Sequence, residues 1–310
     1  MTIKHSFKQR EPIIVACAQI APIVANVTYN RQVSNTAIAR AADLGAQVVV
    51  LPELAQSGYV FNDKAEALSV AEDLDGPTVQ GWRALAEARG IVVVAGICER
   101  LSSTEVANSA VMIEPDGRIT PYRKAHLWNK EKLIFTPGSE LPPVVDTVFG
   151  RIAVMICYDQ ELPEWVRLIA MQNTQLLCVP VNWPDLPRPE TERPAEIVRA
   201  QANAAINHLF LAVCDRCGEE RGVDWVGGSS IIDVDGYPVA GAISNPAEHV
   251  LTARLELSKA DDKWISDYNH VLEDRRPALY SGLCASTRYV HPPSAHCSTT
   301  ECNPRPRRHR

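Results

Sequence analysis

Cys157 lies at a boundary between two kinds of sequence. Residues 152–156 form an apolar run that predicts a buried strand, and the residues from Pro163 onward have the spacing of a helix that begins with proline. At such a turn, free N–H groups and the positive end of a helix dipole would favour a thiolate. Cys157 is therefore a candidate nucleophile, although an unpaired buried cysteine is also a common core residue.

Three charged residues follow other predicted strands. Glu53 comes directly after the strand at 47–51, and Lys124 and Glu131 lie in the loop after a hairpin at 108–123. A thiol nucleophile needs a base to take its proton and donors for the oxyanion that forms. No histidine can be placed near Cys157 from the sequence, so we expect a carboxylate base with an ammonium neighbour that lowers the pKa of the thiol. The alternative for each charged residue is a solvated loop position.

The elements that must position these residues alternate between strands and helices. In the first half, strands are predicted at 13–18, 47–51 and 91–99, helices at 30–44 and 78–89, and a hairpin at 108–113 and 118–123. The second half repeats this plan with strands at 152–156, 175–179 and 209–214, helices from Pro163 and at 190–207, a hairpin at 229–234 and 237–242, and a last strand at 249–255. This order predicts a four-layer α/β fold, with two sheets face to face and helices outside, as a single domain at 13–280. Residues 1–12 are expected to be flexible, and the tail at 281–310 partly disordered.

Composition and charge restrict the class of protein. The 310 residues are 46% hydrophobic and 22% charged, as in a globular protein, and a net charge of -6 argues against a nucleic-acid partner. No apolar run reaches the length of a membrane span, and the first residues lack the apolar part of a signal peptide. The nine cysteines have no framework spacing, and the Cys-x-x-Cys at 214–217 has no second pair to complete a zinc site. We therefore expect a cytoplasmic protein that uses no metal and binds neither membranes nor nucleic acid.

Three separated motifs carry a resemblance to a known family. They are Leu-Pro-Glu at 51–53 with Gly-Tyr at 58–59, Tyr-Arg-Lys-Ala-His-Leu at 122–127 with Glu131, and Ile-Cys-Tyr-Asp at 156–159 with Leu-Pro-Glu at 162–164. In this order they resemble the nitrilase superfamily of carbon–nitrogen hydrolases, and the likeness extends from about residue 13 to residue 280. The resemblance implies the αββα sandwich of that superfamily, in agreement with the four layers predicted above.

The resemblance also implies roles for the candidate residues. Cys157 would be the nucleophile, Glu53 the general base and later the acid, and Lys124 the oxyanion stabiliser. Glu131 would be the family's second glutamate, which orients the substrate and tunes the other groups, and the backbone N–H of Tyr158 would be a further oxyanion donor. The residues expected to bind the substrate are Tyr59, Trp128, Tyr158, Asn182 and Trp183.

The nucleophile motif indicates a branch of the superfamily. Nitrilases proper usually have Cys-Trp-Glu, whereas residues 157–159 are Cys-Tyr-Asp, and residues 124–128 look like those of bacterial amidases that act on small carboxamides. The expected reaction is hydrolysis of a small carboxamide to acid plus ammonia through a cysteine thioester, with no cofactor. The alternatives are conversion of a nitrile, hydrolysis of an N-carbamoyl compound, and a non-catalytic scaffold on the same fold.

Two further expectations concern supporting groups and partners. Asp159 and Glu164 would support the turn after the nucleophile and the start of the following helix rather than act on the substrate. Family members usually pair, which implies a homodimer or a higher homo-oligomer. The segment at 163–171, with an exposed Trp165, is the expected contact face.

Overall fold

The computed structural model describes residues 11–284, and the predictions for residues 1–10 and 285–310 lie outside this part. The strands are β1 (Ile13–Gln19), β2 (Val48–Val50), β3 (Val92–Arg100), β4 (Val106–Ile113), β5 (Ile119–Arg123), β6 (Val144–Asp146), β7 (Arg151–Val154), β8 (Leu176–Pro180), β9 (Phe210–Cys214), β10 (Glu219–Glu220), β11 (Val223–Asp224), β12 (Ser230–Ile232), β13 (Pro238–Gly241), β14 (His249–Leu255), β15 (Trp264–Ser266) and β16 (Asn269–His270). The helices are α1 (Val27–Asp43), α2 (Lys64–Val70), α3 (Pro77–Arg89), α4 (Glu131–Ile134), α5 (Pro163–Ala170), α6 (Ala195–Asn207) and α7 (Ser281–Cys284), with 3-10 turns at Cys157–Glu161, Leu257–Asp261 and Pro277–Leu279. Within residues 11–284, none of these helices is long and apolar enough to cross a membrane.

Two six-stranded sheets form the body of the structure. The first has the order β14-β1-β2-β3-β4-β5, and the second has the order β13-β12-β9-β8-β7-β6. In the first sheet β1, β2 and β3 run parallel, and in the second β7, β8 and β9 run parallel, while the outer strands pair antiparallel. The late strand β14 pairs with β1, so a segment distant in sequence completes the edge of the first sheet.

The layers can be read from alternate residues of β2. Val48 and Val50 belong to a core that contains residues of both sheets, whereas Val49 packs on the other face with Ile38 of α1 and Trp82 of α3. Because successive side chains of a strand point to opposite faces, this pattern separates the face toward the second sheet from the face toward the helices. On the second sheet, α6 packs against β9 and β12, with α5 beside it. The predicted four-layer αββα sandwich is therefore confirmed.

Some helix boundaries differ from the prediction for physical reasons. α1 begins before residue 30, because the side chain of Asn26 accepts the N–H of Tyr29 and caps the helix. Asn30 is instead buried inside the helix, where its amide donates to the carbonyl of Gln56. α6 begins directly after Pro194 rather than at residue 190, and the short helix α2 was not predicted.

The chain divides into two compact units. The main unit ends at Leu272 and contains both six-stranded sheets. The second unit begins at Glu273, and its described part contains the 3-10 turn at Pro277–Leu279 and α7. The predicted domain boundary near residue 280 stays a prediction.

Candidate active site

Cys157 begins a short 3-10 turn between a strand and a helix. β7 ends at Val154, the turn follows, and α5 starts at Pro163. The backbone of Cys157 has a φ of 45°, in the left-handed region that residues other than glycine rarely adopt. Such strain is typical of functional positions that the surrounding structure holds in place. The strand before Cys157 and the helix from Pro163 are as predicted, and the 3-10 turn lies between them.

Asp159 holds this turn. Its buried carboxylate accepts hydrogen bonds from the backbone N–H of Ile156 at 3.3 Å, from the backbone N–H of His126 at 2.9 Å and from the hydroxyl of Tyr122 at 2.8 Å. The ring Nδ1 of His126 lies 2.7 Å from the same carboxylate. These contacts join the turn of the nucleophile to the segment that carries Lys124. The expected supporting role of Asp159 is therefore visible in the structure.

Trp165 is half-buried, which corrects the expectation of an exposed side chain. Its indole N–H donates to the hydroxyl of Tyr122 at 3.1 Å, and its ring meets that of His126 edge-on, with 4.9 Å between the centroids. Trp165 and Asp159 therefore contact the same two residues, Tyr122 and His126. Glu164, in the first turn of α5, lies where the sequence placed it.

The ammonium of Lys124 lies between two buried carboxylates. Its Nζ donates to Oε1 of Glu53 at 2.6 Å and to Oε1 of Glu131 at 2.8 Å, and none of the three side chains is more than 3% exposed. The side chain of Asn108 donates a further hydrogen bond to Oε1 of Glu53 at 2.7 Å. One cation thus faces two buried acids, and charges in the interior interact far more strongly than at the surface.

The loop that carries Glu53 is fixed from both sheets. A Cβ at Gly96 in β3 would lie 2.3 Å from the backbone N of Leu54 and 2.7 Å from Cα of Glu53, so this close approach requires glycine. From the second sheet, Asn182 after β8 donates its side-chain N–H to the backbone carbonyl of Glu53 at 2.9 Å. The candidate base is therefore held in one place.

Lys124 and Glu131 are positioned by neighbouring backbone and side-chain groups. The N–H of Lys124 donates to the carbonyl of Asn108 in β4 at 2.9 Å. Glu131 opens α4, and its Oε2 accepts the backbone N–H of Trp128 at 2.9 Å. Its Oε1 accepts the hydroxyl of Tyr59 at 2.6 Å. Two of the expected substrate-binding residues, Tyr59 and Trp128, therefore meet at Glu131.

The thiol of Cys157 belongs to the same site. Glu53, Lys124 and Glu131 all act on it electrostatically. Its Sγ lies 3.9 Å from the backbone carbonyl of Asn182, the residue whose side chain holds Glu53. The structure thus brings together the four residues that the sequence analysis selected as chemical groups.

Burial decides the protonation of this cluster. It raises the pKa of Glu53 to about 7, against the opposing field of Lys124 and with a further rise from Glu131. Burial alone would lower the pKa of Lys124, but the two carboxylates raise it well above its usual value, so the ammonium stays charged. Burial and Glu53 raise the pKa of the Cys157 thiol, and Lys124 reverses only part of this rise. The ammonium lowers the pKa of the thiol, as expected, but burial and Glu53 outweigh this effect, and the thiol keeps its proton until a base takes it.

Several buried polar atoms at the site have no hydrogen-bond partner within residues 11–284. They are Oε2 of Glu53, Oδ1 of Asn182 and Nε1 of Trp183. The backbone of Trp183 is fixed, because its N–H donates to Oδ1 of Asp215 at 3.0 Å. Tyr158 is half-buried in the turn of the nucleophile. Since unsatisfied buried polar groups are uncommon in native proteins, these atoms are candidates for contacts with a substrate.

Two supporting residues were missed by the sequence analysis. Asn108 holds Glu53, and its signal was an amide side chain within the mostly apolar strand β4. Glu220 accepts the backbone N–H groups of Tyr59 at 2.9 Å and of Val60 at 2.7 Å. It lies in a polar stretch after β9, where nothing in the local sequence distinguishes it from a solvated carboxylate.

The Cys-x-x-Cys pair at 214–217 has no visible part in this site. Cys214 and Cys217 are both buried and free of disulfides. Within the part of the chain that the structure describes, no group of His, Cys, Asp and Glu side chains is arranged to hold a metal ion.

Known proteins match this chain over most of its length. The family model for carbon-nitrogen hydrolases matches residues 14–263. A nitrilase from Pyrococcus abyssi is 34% identical, over 86% of this chain and 98% of the relative. An (R)-stereoselective amidase from Pseudomonas sp. is 32% identical, over 86% of this chain and 92% of the relative.

Solved structures share the fold. An amidase from Nesterenkonia sp. AN1 has a TM-score of 0.74 and 27% identity, over 87% of this chain and 99% of its own. A mutant of that amidase, with a TM-score of 0.72 and 25% identity over 89% of this chain and 99% of its own, shows covalent addition of the acetamide moiety of fluoroacetamide at the active-site cysteine. The match of the family model, the identity to these relatives and the shared fold show that this chain belongs to the carbon–nitrogen hydrolases of the nitrilase superfamily.

Proposed function

We propose that this carbon–nitrogen hydrolase cleaves a small carboxamide to acid plus ammonia through a thioester at Cys157. The observation that carries the proposal is the position of the Lys124 ammonium, 2.6 Å from Glu53 and 2.8 Å from Glu131, in the site that contains the thiol. A base, a fixed positive charge and a nucleophile thus occupy one buried place, which is what acyl transfer to a cysteine requires.

Proton transfer from Cys157 to Glu53 begins the reaction. Burial and the neighbouring Glu53 raise the pKa of the thiol, so it is neutral at rest. Glu53, whose pKa burial raises to about 7, is ionised in a large share of the molecules at neutral pH. Its Oε2, which has no partner within residues 11–284, is free to accept the proton. The thiolate sulfur then forms a bond to the carbonyl carbon, and the carbonyl π electrons move to oxygen.

The ammonium of Lys124 stabilises the oxyanion. It is desolvated and already held by two carboxylates, so little reorganisation is needed when the negative charge forms. The backbone N–H of Tyr158, next to the nucleophile, is the second donor in our proposal. The oxyanion then reforms the carbonyl, and the C–N bond breaks as Glu53 returns its proton to the leaving nitrogen.

Hydrolysis of the thioester uses the same groups in reverse. Glu53, ionised again after ammonia has left, takes a proton from a water molecule that attacks the acyl carbon. The ammonium of Lys124 stabilises the second tetrahedral oxyanion as well. When the C–S bond breaks, the proton returns to the sulfur, and the acid leaves with the enzyme in its starting state.

An amide is favoured over a nitrile by the nucleophile motif and by the relatives. The tripeptide at 157–159 is Cys-Tyr-Asp, and the structure uses Asp159 to hold the turn. Two of the similar proteins described above are amidases, and in one structure an acetamide moiety is bound to the cysteine. A nitrile is the second candidate substrate, because the relative from Pyrococcus abyssi is a nitrilase.

Ammonia release from a panel of small carboxamides, N-carbamoyl compounds and nitriles tests the proposal. We expect turnover of at least one small carboxamide, together with an acyl adduct on Cys157 in acid-quenched samples analysed by mass spectrometry. Cys157→Ala should release no ammonia and form no adduct. Turnover of nitriles alone would contradict the amide proposal. No turnover, combined with a thiol that iodoacetamide does not label at neutral pH, would favour the scaffold alternative.

A further inference from the structure

We propose that Glu220 is a positioning residue of the active site, which acts through Tyr59 on Glu131. The inference rests on the proposed function of this site and adds a residue outside its chemical motifs. Glu220 lies in β10, after the last parallel strand of the second sheet, whereas Tyr59 lies in the loop after β2 of the first sheet. The contact therefore joins the two halves of the fold at the site.

Glu220 is connected to the charged cluster through Tyr59, which it binds at the backbone. Its Oε2 accepts two successive backbone N–H groups, those of Tyr59 at 2.9 Å and of Val60 at 2.7 Å. The hydroxyl of the same tyrosine donates to Oε1 of Glu131 at 2.6 Å. That oxygen also accepts the ammonium of Lys124 at 2.8 Å. A displacement of Glu220 would thus reach the group that stabilises the oxyanion.

Glu220 lies beside a buried arginine. It is 5% exposed, and Nη1 of Arg216, a residue that is 1% exposed, lies 2.9 Å from its Oε2. Arg216 also lies over the ring of Trp225, 4.7 Å from the centroid, and donates to the carbonyl of Pro22 at 2.6 Å. Removing two charges from water costs about as much as their attraction returns, so a buried ion pair is a poor source of stability. The ion pair of Arg216 and Glu220 is better explained by a role in fixing the position of Glu220 against the backbone of Tyr59 and Val60.

The loops on both sides of this contact approach closely. Gly58 has a φ of 75°, and a Cβ there would lie 2.3 Å from Cα of Val24 and 2.7 Å from Oε1 of Glu220. Trp225 meets the ring of Tyr59 edge-on, with 5.4 Å between the centroids. Tyr59 is therefore held by its backbone, its ring and its hydroxyl, and it has little freedom to move independently of Glu220.

A shift of Tyr59 has a predictable effect on the base. Glu131 would lose one of its donors and would compete more strongly with Glu53 for the ammonium of Lys124. Lys124 opposes the rise that burial causes in the pKa of Glu53. A weaker contact between these two groups would therefore raise that pKa further, and the base would be ionised only at higher pH. Unfolding of part of the sample would not produce this change.

Two neutral substitutions separate position from charge. Glu220→Gln and Glu220→Met have similar lengths and both remove the charge that faces Arg216, but only glutamine keeps an oxygen for the two N–H groups. We expect Glu220→Met to lower kcat/KM by at least about tenfold and to move the acidic limb of its pH profile upward by about half a pH unit or more. Glu220→Gln should stay close to wild type in both respects. Glu219→Gln, exposed on the same strand, is the matched control.

A double-mutant cycle tests whether the effect passes through the hydroxyl of Tyr59. Tyr59→Phe should move the acidic limb in the same direction, and adding Glu220→Met should move it little further. Independent, additive shifts would overturn the proposal, and so would identical behaviour of the Met and Gln variants. If Glu220→Met does not fold, Glu220→Asp replaces it, because it keeps the charge for Arg216 but withdraws the oxygen from the N–H groups. Wild-type behaviour of that variant would equally overturn the proposal.

Alkylation of Cys157 separates this test from the proposed function. The pH dependence of labelling by iodoacetamide, followed on the Cys157 peptide by mass spectrometry, requires no substrate. If the wild type cleaves no amide, but the labelling midpoint rises in Glu220→Met and not in Glu220→Gln, the positioning role holds and the amide proposal fails. If amides are cleaved and neither the labelling midpoint nor the acidic limb moves, only the positioning role fails.

Discussion

The side chain of Asn182 donates a hydrogen bond of 2.9 Å to the backbone carbonyl of Glu53. Asn182 follows β8 in the second sheet and Glu53 follows β2 in the first, and the Sγ of Cys157 lies 3.9 Å from the carbonyl of Asn182. One residue therefore contacts both the segment of the base and the sulfur of the nucleophile. This matters because proton transfer requires the two groups within hydrogen-bond reach of each other.

Replacing Asn182 by alanine should reduce turnover far more than stability. A misplacement of the base by about 1 Å costs on the order of 10² in rate, whereas the lost hydrogen bond costs about 1 kcal/mol of unfolding free energy. Steady-state kinetics and urea unfolding measure the two effects. Asn207→Ala is the control, because this buried asparagine also donates to a backbone carbonyl, that of Asn203 at 3.0 Å. A wild-type kcat in Asn182→Ala would contradict the proposed link.

Lys124→Ala should lower kcat on the order of 10²–10³-fold, the usual cost of losing an oxyanion donor. The loss also leaves Glu53 and Glu131 facing each other without a cation, so the pKa of Glu53 should rise and the acidic limb of any residual activity should move upward. Lys132→Ala is a suitable control, since Lys132 is exposed on α4 beside Glu131. Rates are measured with the best amide of the panel. Equal activity of the two variants would show that Lys124 has no role in the chemistry.

The rate should increase as the pH rises through about 7. Glu53 must be ionised to accept the thiol proton, and burial raises its pKa to about 7. Below that value, kcat/KM should fall about tenfold for each pH unit, because the ionised fraction falls in that proportion. The profile is recorded between about pH 5 and 8 at constant ionic strength. A limb near the ordinary glutamate value would show that a different group acts as the base.

The side-chain carboxyl of Glu53 should make the fold less stable as the pH rises. Burial favours the neutral acid and raises the pKa of Glu53 in the folded state to about 7. Without burial the pKa is 4.5. Its contribution to stability is therefore fully present below pH 4.5 and is lost as the pH rises through about 7. Glu53→Gln removes this titration. The Tm of the variant relative to wild type should therefore increase over that interval, and a constant difference would contradict the assignment.

The parts of the site next to strands were predictable from local sequence. Glu53 and Cys157 each follow an apolar run, Lys124 follows the second strand of a predicted hairpin, and the carboxyl ends of parallel strands meet at one edge of a sheet, where sites are built. The side-chain types, a carboxylate, an ammonium and a thiol, then indicated a base, a cation and a nucleophile. The layers of the fold were predictable for the same reason, because alternation of strands and helices is visible in the hydrophobic pattern.

The contacts that complete the site depend on residues distant in sequence. Glu220 reaches Tyr59, and Asn108 reaches Glu53, only because the fold brings their segments together. The lowering effect of a neighbouring ammonium on the pKa of Cys157 was predictable, but the larger opposing effect of burial was not, because a sequence does not show the degree of burial. Burial outweighs the attraction of the ammonium in the folded protein.

Exposed apolar side chains lie on the adjacent helices α5 and α6 and at the end of α5, and we call them the α5–α6 face. Its residues are Leu168 (39% exposed), Met171 (49%), Val198 (49%) and Ile206 (46%). Arg167 joins the two helices through a hydrogen bond of 2.8 Å to the carbonyl of Ile206. The expectation of self-association through residues 163–171 thus moves from Trp165, which is engaged by Tyr122, to this α5–α6 face.

A charged substitution on the α5–α6 face should separate a homo-oligomer into monomers. The double variant Leu168→Glu with Met171→Glu would place carboxylates in an apolar contact, where burying unpaired charges is costly. We expect light scattering during size-exclusion chromatography to give the monomer mass for this variant and a dimer or larger mass for the wild type. Leu133→Glu, on α4 and 77% exposed, is the control and should keep the wild-type mass. A monomeric wild type, or a double variant with unchanged mass, would rule out this face as the contact.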